Sequence, residues 1–183
     1  MKKPCLLKVL LASAASSLCA CSSDAEEPQV DRQTAQLVVR EVTRRVQIDL
    51  ASYRGADGSG QVTFDCVNGG NVSVDGDVEV SSDPVMVDVN VAMEYASCMT
   101  KGGYGIDGGL TFSQEVVIGG DKAAFDVETL LTGTTTVFHD DEEYDCDFDL
   151  NVVVTSKGAL VDVGGSACGH AANTFELTIT PHW

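Results

Sequence analysis

Tyr144-Asp145-Cys146-Asp147-Phe148-Asp149-Leu150-Asn151-Val152-Val153-Val154-Thr155 decides the fold. Tyr144, Cys146, Phe148, Leu150, Val152 and Val154 fall on one face of an extended chain; Asp145, Asp147, Asp149 and Asn151 fall on the other. Successive strand side chains point to opposite sides, so this spacing buries one face and wets the other. A sheet built that way is antiparallel, because strands of a parallel sheet are covered on both faces and read as continuous apolar runs.

The same two-residue period extends outward from this stretch. Val62, Phe64 and Cys66 alternate with Thr63 and Asp65; Val72, Val74, Val78 and Val80 follow, then Val85, Val87, Val89, Val91 and Met93. Further alternating runs span 110–118, 123–138, 160–163 and 174–180. Short polar turns separate them: Ser81-Ser82-Asp83-Pro84, Gly119-Gly120-Asp121-Lys122, His139 to Glu142, and Lys157-Gly158. No helix-length segment lies between the runs, so parallel crossovers have no chain to use. The expectation is mainly β: an antiparallel, strongly curved, open-barrel-like meander.

One helix precedes it. Val38, Val42, Val46 and Leu50 recur every four residues from Asp31 to about Tyr53, giving one apolar stripe with Arg40, Glu41 and Arg44 elsewhere. Asp31 is placed to cap its start. Val46-Gln47-Ile48-Asp49-Leu50 also alternates like a strand, and Arg54 to Gly60 breaks the pattern. The apolar stripe is expected to pack on the sheet.

Cys66, Cys98, Cys146 and Cys168 lie in the β region. A turn centred between 82 and 83 sets 98 opposite 67, beside Cys66. A turn centred between 157 and 158 sets 168 opposite 147, beside Cys146. Hairpin pairing therefore predicts Cys66–Cys98 and Cys146–Cys168, each partner displaced by one residue that a bulge can absorb. An echo runs through the first pair: Cys66, Gly69-Gly70 and Val74-Asp75-Gly76 return as Cys98, Gly102-Gly103 and Ile106-Asp107-Gly108, 32 residues later. Glycine pairs inside strands predict bulges or sharp bends.

Charge removes some functions. The formal net charge is −17, and after residue 55 only Lys101, Lys122 and Lys157 face the acids. Such a chain is repelled by phosphate backbones, so no nucleic-acid partner is expected. Arg32, Arg40, Arg44, Arg45 and Arg54 make the segment ahead of the β region mildly basic, so docking on the acidic body is favourable.

Seven acids crowd into Asp140 to Asp149, and Asp145, Asp147 and Asp149 are the weak calcium candidates there. Alternate strand residues stand about 6.5–7 Å apart, too far for neighbouring carboxylates to share one ion easily. Their expected role is a solvated face, and no metal or other cofactor is expected. His139, His170 and His182 show no paired ligand spacing. Gly164-Gly165-Ser166-Ala167-Cys168 misses the G-x-S-x-G elbow, and Gly102-Gly103-Tyr104-Gly105 precedes a strand where a phosphate loop needs a helix. No catalytic residue is assigned.

The N-terminus carries an address. Lys2, Lys3 and Lys8 precede an apolar run from Val9 to Leu18, about ten residues and too short for a bilayer core needing roughly 20. It reads as a secretory signal. Leu18-Cys19-Ala20-Cys21 resembles the lipobox of bacterial lipoprotein precursors, with Cys19 where a small residue is usual. The resemblance implies cleavage before Cys21, acylation of Cys21 and membrane attachment through it. Ser22 after Cys21 resembles outer-membrane sorting. Residues 1–20 are then the signal peptide, 21–30 a lipidated polar tether, and 31–183 the helix and β domain. Removing the signal takes three lysines and moves the formal charge from −17 to −20.

The body resembles small uncharacterised bacterial lipoproteins with a Cys-Gly-Gly-rich β meander, a likeness that implies no activity. The expected function is thus a lipid-anchored envelope lipoprotein, structural or binding and not an enzyme. The alternatives are a carrier of a small apolar ligand in the sheet interior and a carboxylate-based surface hydrolase.

Overall fold

The computed structural model describes residues 30–55, 60–82, 84–119, 125–155 and 160–175. One helix (α1, Arg32–Gly55) precedes a single eight-stranded sheet: β1 (Gly60–Asp65), β2 (Asn71–Ser82), β3 (Val85–Met99), β4 (Gly105–Ile118), β5 (Phe125–His139), β6 (Glu142–Thr155), β7 (Leu160–Ala167) and β8 (His170–Ala171). Each strand pairs antiparallel with the next in sequence. The meander is therefore as expected. β1 and β8 are its edges and the sheet is not closed.

The helix begins where Asp31 can cap it. The Asp31 carboxylate accepts hydrogen bonds from the Gln33 and Thr34 amides at 2.9 and 3.2 Å, and from the Thr34 hydroxyl at 2.6 Å. These satisfy amides that the first turn leaves without intrahelical partners, and they hold the exposed Asp31 carboxyl below its ordinary value. Val46 to Leu50 stays helical despite its strand-like alternation, because Val46 continues the buried stripe of Ala35, Val38, Val39 and Val42. That stripe shares one core cluster with Val72 and Val74 of β2, Val91 and Met93 of β3, Ile106 and Leu110 of β4, and Phe148 and Leu150 of β6. Apolar contact joins the two layers. Among the described residues the Arg–carboxylate ion pair, Arg45–Asp49, lies within the helix, so charge attraction between helix and sheet is not what seats it.

Both expected cysteine pairs stand at disulfide distance, with Cα atoms 5.4 Å apart for Cys66–Cys98 and 4.2 Å for Cys146–Cys168. The second follows the expected register: Phe148 faces Ala167, and the Cys168 amide donates to the Asp147 carbonyl at 3.0 Å. The first does not. Ser82 faces Val85, so the turn is centred between 83 and 84 and Cys66 lies beyond the β2–β3 ladder. Cys66 reaches Cys98 because the β1–β2 turn folds it opposite Gly70, where its amide donates to the Gly70 carbonyl. Gly70 lies under Ser97, and a Cβ there would meet the Ser97 carbonyl oxygen at 2.0 Å. The glycine pairs are hairpin turns and not bulges; the bulge falls between Tyr95 and Cys98. The expected strand 174–180 is also corrected at its start, since Ala172–Thr174 is a 3-10 turn, and residues 176–180 lie outside the described residues.

Candidate functional site

A second stripe runs beside the apolar one on α1. Glu41, Arg45 and Asp49 recur every four residues and so share a helix face. All three are buried: Asp49 is 1 % exposed, Arg45 5 % and Glu41 8 %. Arg45 grips Asp49 with two nitrogens, its Nε donating to Asp49 Oδ2 at 2.9 Å and an Nη to Oδ1. The Tyr95 hydroxyl on β3 donates to the same Oδ2 at 3.0 Å. Burial pushes the Asp49 carboxyl above its ordinary value, against the opposing pull of Arg45 and Tyr95. Burial and the neighbouring Asp49 carboxylate push the Tyr95 phenol well above its own, so Tyr95 remains a donor at neutral pH.

At the outer end of this stripe lies an open cleft of about 270 Å³. Glu41, Arg44, Arg45 and Ile48 of α1 form one wall; Val67 of the β1–β2 turn and Thr100 and Lys101 of the β3–β4 turn form the other. Those two turns are tied together. The Cys66–Cys98 bridge joins their bases, Asn68 Nδ2 donates to the Thr100 carbonyl at 3.0 Å, and the Met99 amide donates to Gly69 at 2.9 Å. Thr100 is locked in turn by a 2.7 Å amide bond to the Tyr104 carbonyl, and its hydroxyl accepts the Tyr104 amide at 3.2 Å. The cleft wall is thus fixed before any ligand arrives.

No protein-family model, curated protein sequence or solved structure matches this chain. Its site must be read from its own residues.

The structure keeps the calcium candidates apart. Asp145 accepts from the Thr136 hydroxyl at 2.8 Å and Asp147 from the Thr134 hydroxyl at 2.7 Å, while Asp149 faces Thr132 in the ladder. Each carboxylate answers a threonine on β5, and all three are exposed. Among the described residues no group of three or more His, Cys, Asp or Glu side chains is placed to hold a metal ion. His139 stacks on Tyr104 with ring centroids 4.2 Å apart, and His170 Nε2 lies 2.8 Å from the Val30 carbonyl oxygen. Cys21, the whole segment 1–29 and His182 lie outside the described residues.

Sequence reasoning did not find the cleft. The one signal was the fourfold recurrence of Glu41, Arg45 and Asp49, which on an isolated helix reads as a solvated face. The facing wall is Val67, Thr100 and Lys101, brought opposite Glu41 by turns 26 and more residues further along the chain.

Proposed function

We propose that this protein is a lipid-anchored lipoprotein of the bacterial envelope whose β domain binds a ligand or partner and does not catalyse a reaction. The two cysteine pairs at disulfide distance carry the reading. Disulfides persist in oxidising compartments, which is where Leu18-Cys19-Ala20-Cys21 would deliver the chain. In such a product several acyl chains on Cys21 hold the domain at the membrane, since one chain alone binds only marginally. No described helix is long and apolar enough to cross a membrane, so among these residues no helical span competes with the lipid as anchor. A binding role suits the buried site better than a catalytic one, because Asp49 is gripped by Arg45 and Tyr95 keeps its proton. Expressed in a Gram-negative host, the full chain is expected to partition into the detergent phase of a Triton X-114 extract, and Cys21→Ala into the aqueous phase. Equal partitioning of the two would count against the anchor.

A carrier role is the second reading. The apolar face of the sheet continues past the helix: Val80, 70 % exposed, lies in one row with Val87, Val116, Val127, Val154 and Val161, and Val85, Ile118 and Phe125 form the next. A strongly curved, open-barrel-like sheet would cup such a surface. Two glycines support the curvature: Gly108 and Gly133 take φ of 107° and 133°, where a Cβ would meet the neighbouring strand's carbonyl oxygens at 2.6 and 2.3 Å. Organic extraction of protein purified from its own host would yield a stoichiometric apolar compound if this reading holds, and nothing if it fails.

A further inference from the structure

We propose that the cleft between α1 and the two disulfide-tied turns binds a small zwitterion, an α-amino acid or dipeptide with an apolar side chain, through the Glu41 carboxylate. The observation behind it is an unanswered charge. Glu41 is 8 % exposed and lines the cleft, yet among the described residues no hydrogen bond or ion pair reaches its carboxylate. Its oxygens open onto the cleft, so their hydrogen bonds are left to water or to a ligand that supplies donors. Arg45, at i+4 on the same helix face, has its guanidinium committed to Asp49. Arg44 and Lys101 line the same cleft, are exposed, and make no ion pair with Glu41.

This arrangement selects its ligand by charge, size and wall. An ammonium supplies the donors that Glu41 lacks. Arg44 and Lys101 at the rim disfavour a plain amine but welcome one that carries its own carboxylate. In a chain of net charge −17, a neutral zwitterion also avoids the repulsion that a simple anion meets. The volume of about 270 Å³ sits below the ~300–1,000 Å³ of drug-sized sites. It therefore suits an amino acid or dipeptide and not a long acyl chain. Ile48 and Val67, both exposed, are the apolar wall for its side chain. Gly102 leaves room for the acid, since a Cβ there would come within 2.9 Å of Glu41 Oε2. The proposal stands whether or not Cys21 is acylated.

Isothermal titration of the purified protein tests it with L-leucine, L-leucyl-L-leucine, 3-methylbutylamine (leucine without its carboxylate) and 4-methylpentanoate (leucine without its ammonium). The expected result is saturable one-site binding of at least one zwitterion, amine binding at least about fivefold weaker, and no binding of the acid. Glu41→Gln is expected to weaken the zwitterion about tenfold or more while Tm holds, because Glu41 gives up no ion pair within the described residues. Lys101→Ala is expected to weaken the zwitterion and leave the amine unchanged. Should Glu41→Gln fail to fold, Gly102→Ala replaces it, its methyl pressing on the carboxylate and weakening binding. No saturable heat from either zwitterion up to about 10 mM, unchanged binding by the tested variant, or an amine that binds as tightly as the zwitterion would each overturn the proposal.

Discussion

Asp49→Ala is expected to destabilise the fold by about 3–5 kcal/mol, a fall of roughly 6–20 °C in Tm for a domain of this size. The cost comes from what remains, not from what is removed. Arg45 is 5 % exposed and would lose both hydrogen bonds to its carboxylate partner, and the Tyr95 hydroxyl would lose its carboxylate acceptor. Removing the whole network should cost far less. The triple variant Arg45→Met, Asp49→Leu, Tyr95→Phe is expected within about 1–2 kcal/mol of the wild type, because well-packed apolar groups replace a buried ion pair at little loss. Chemical denaturation of the three proteins separates these outcomes. A mild Asp49→Ala, losing under about 1 kcal/mol, would show that Arg45 can turn to water or to Glu41, one turn back on α1. The pH dependence has a definite sign. Asp49 binds its proton more tightly folded than unfolded, so its contribution favours folding at low pH and is lost as pH rises through its folded pKa. Asp49→Asn should remove that component.

Reduction of both disulfides is expected to cost about 6–8 kcal/mol, much of the 5–15 kcal/mol that holds a typical domain together. Cys66–Cys98 and Cys146–Cys168 span sequence separations of 32 and 22 residues, and closing loops of that length removes roughly 3–4 kcal/mol of unfolded-chain entropy each. Thermal melts with and without dithiothreitol should therefore differ by well over about 10 °C. The paired variant Cys146→Ser, Cys168→Ser should account for about half of that shift. A reduced protein melting within about 2 °C of the oxidised one would show that the bridges add no constraint.

The architecture was legible because one physical rule, alternation of apolar and polar side chains, repeats through every long strand. Asp145, Asp147 and Asp149 on the wet face of β6 and Cys146, Phe148 and Leu150 on the dry one follow from it directly. Register was legible only where the turn is symmetric and the ladder unbroken. Cys168 lies opposite 147 as hairpin counting demands, whereas the β2–β3 ladder is two places off the count and Cys66 meets Cys98 through a different turn. Counting cannot see that turn, because its geometry depends on the close approach of Gly70 to Ser97. The cleft was illegible for a related reason. Glu41, Val67 and Lys101 carry no common spacing and become neighbours only once the sheet has turned three times. Charged residues at i, i+4 and i+8 ordinarily mean solvent, and only the tertiary contact with Tyr95 and the turns buries them.

The claim on which the functional reading rests is that this disulfide-bridged, acidic domain is moored by lipid on Cys21. Intact-mass analysis of the native product from its own host tests it most directly. The account predicts a chain lacking residues 1–20, heavier than its sequence by several acyl groups at Cys21, with Cys66, Cys98, Cys146 and Cys168 all oxidised. An unacylated chain that retains those twenty residues, with its four downstream thiols free, would contradict it.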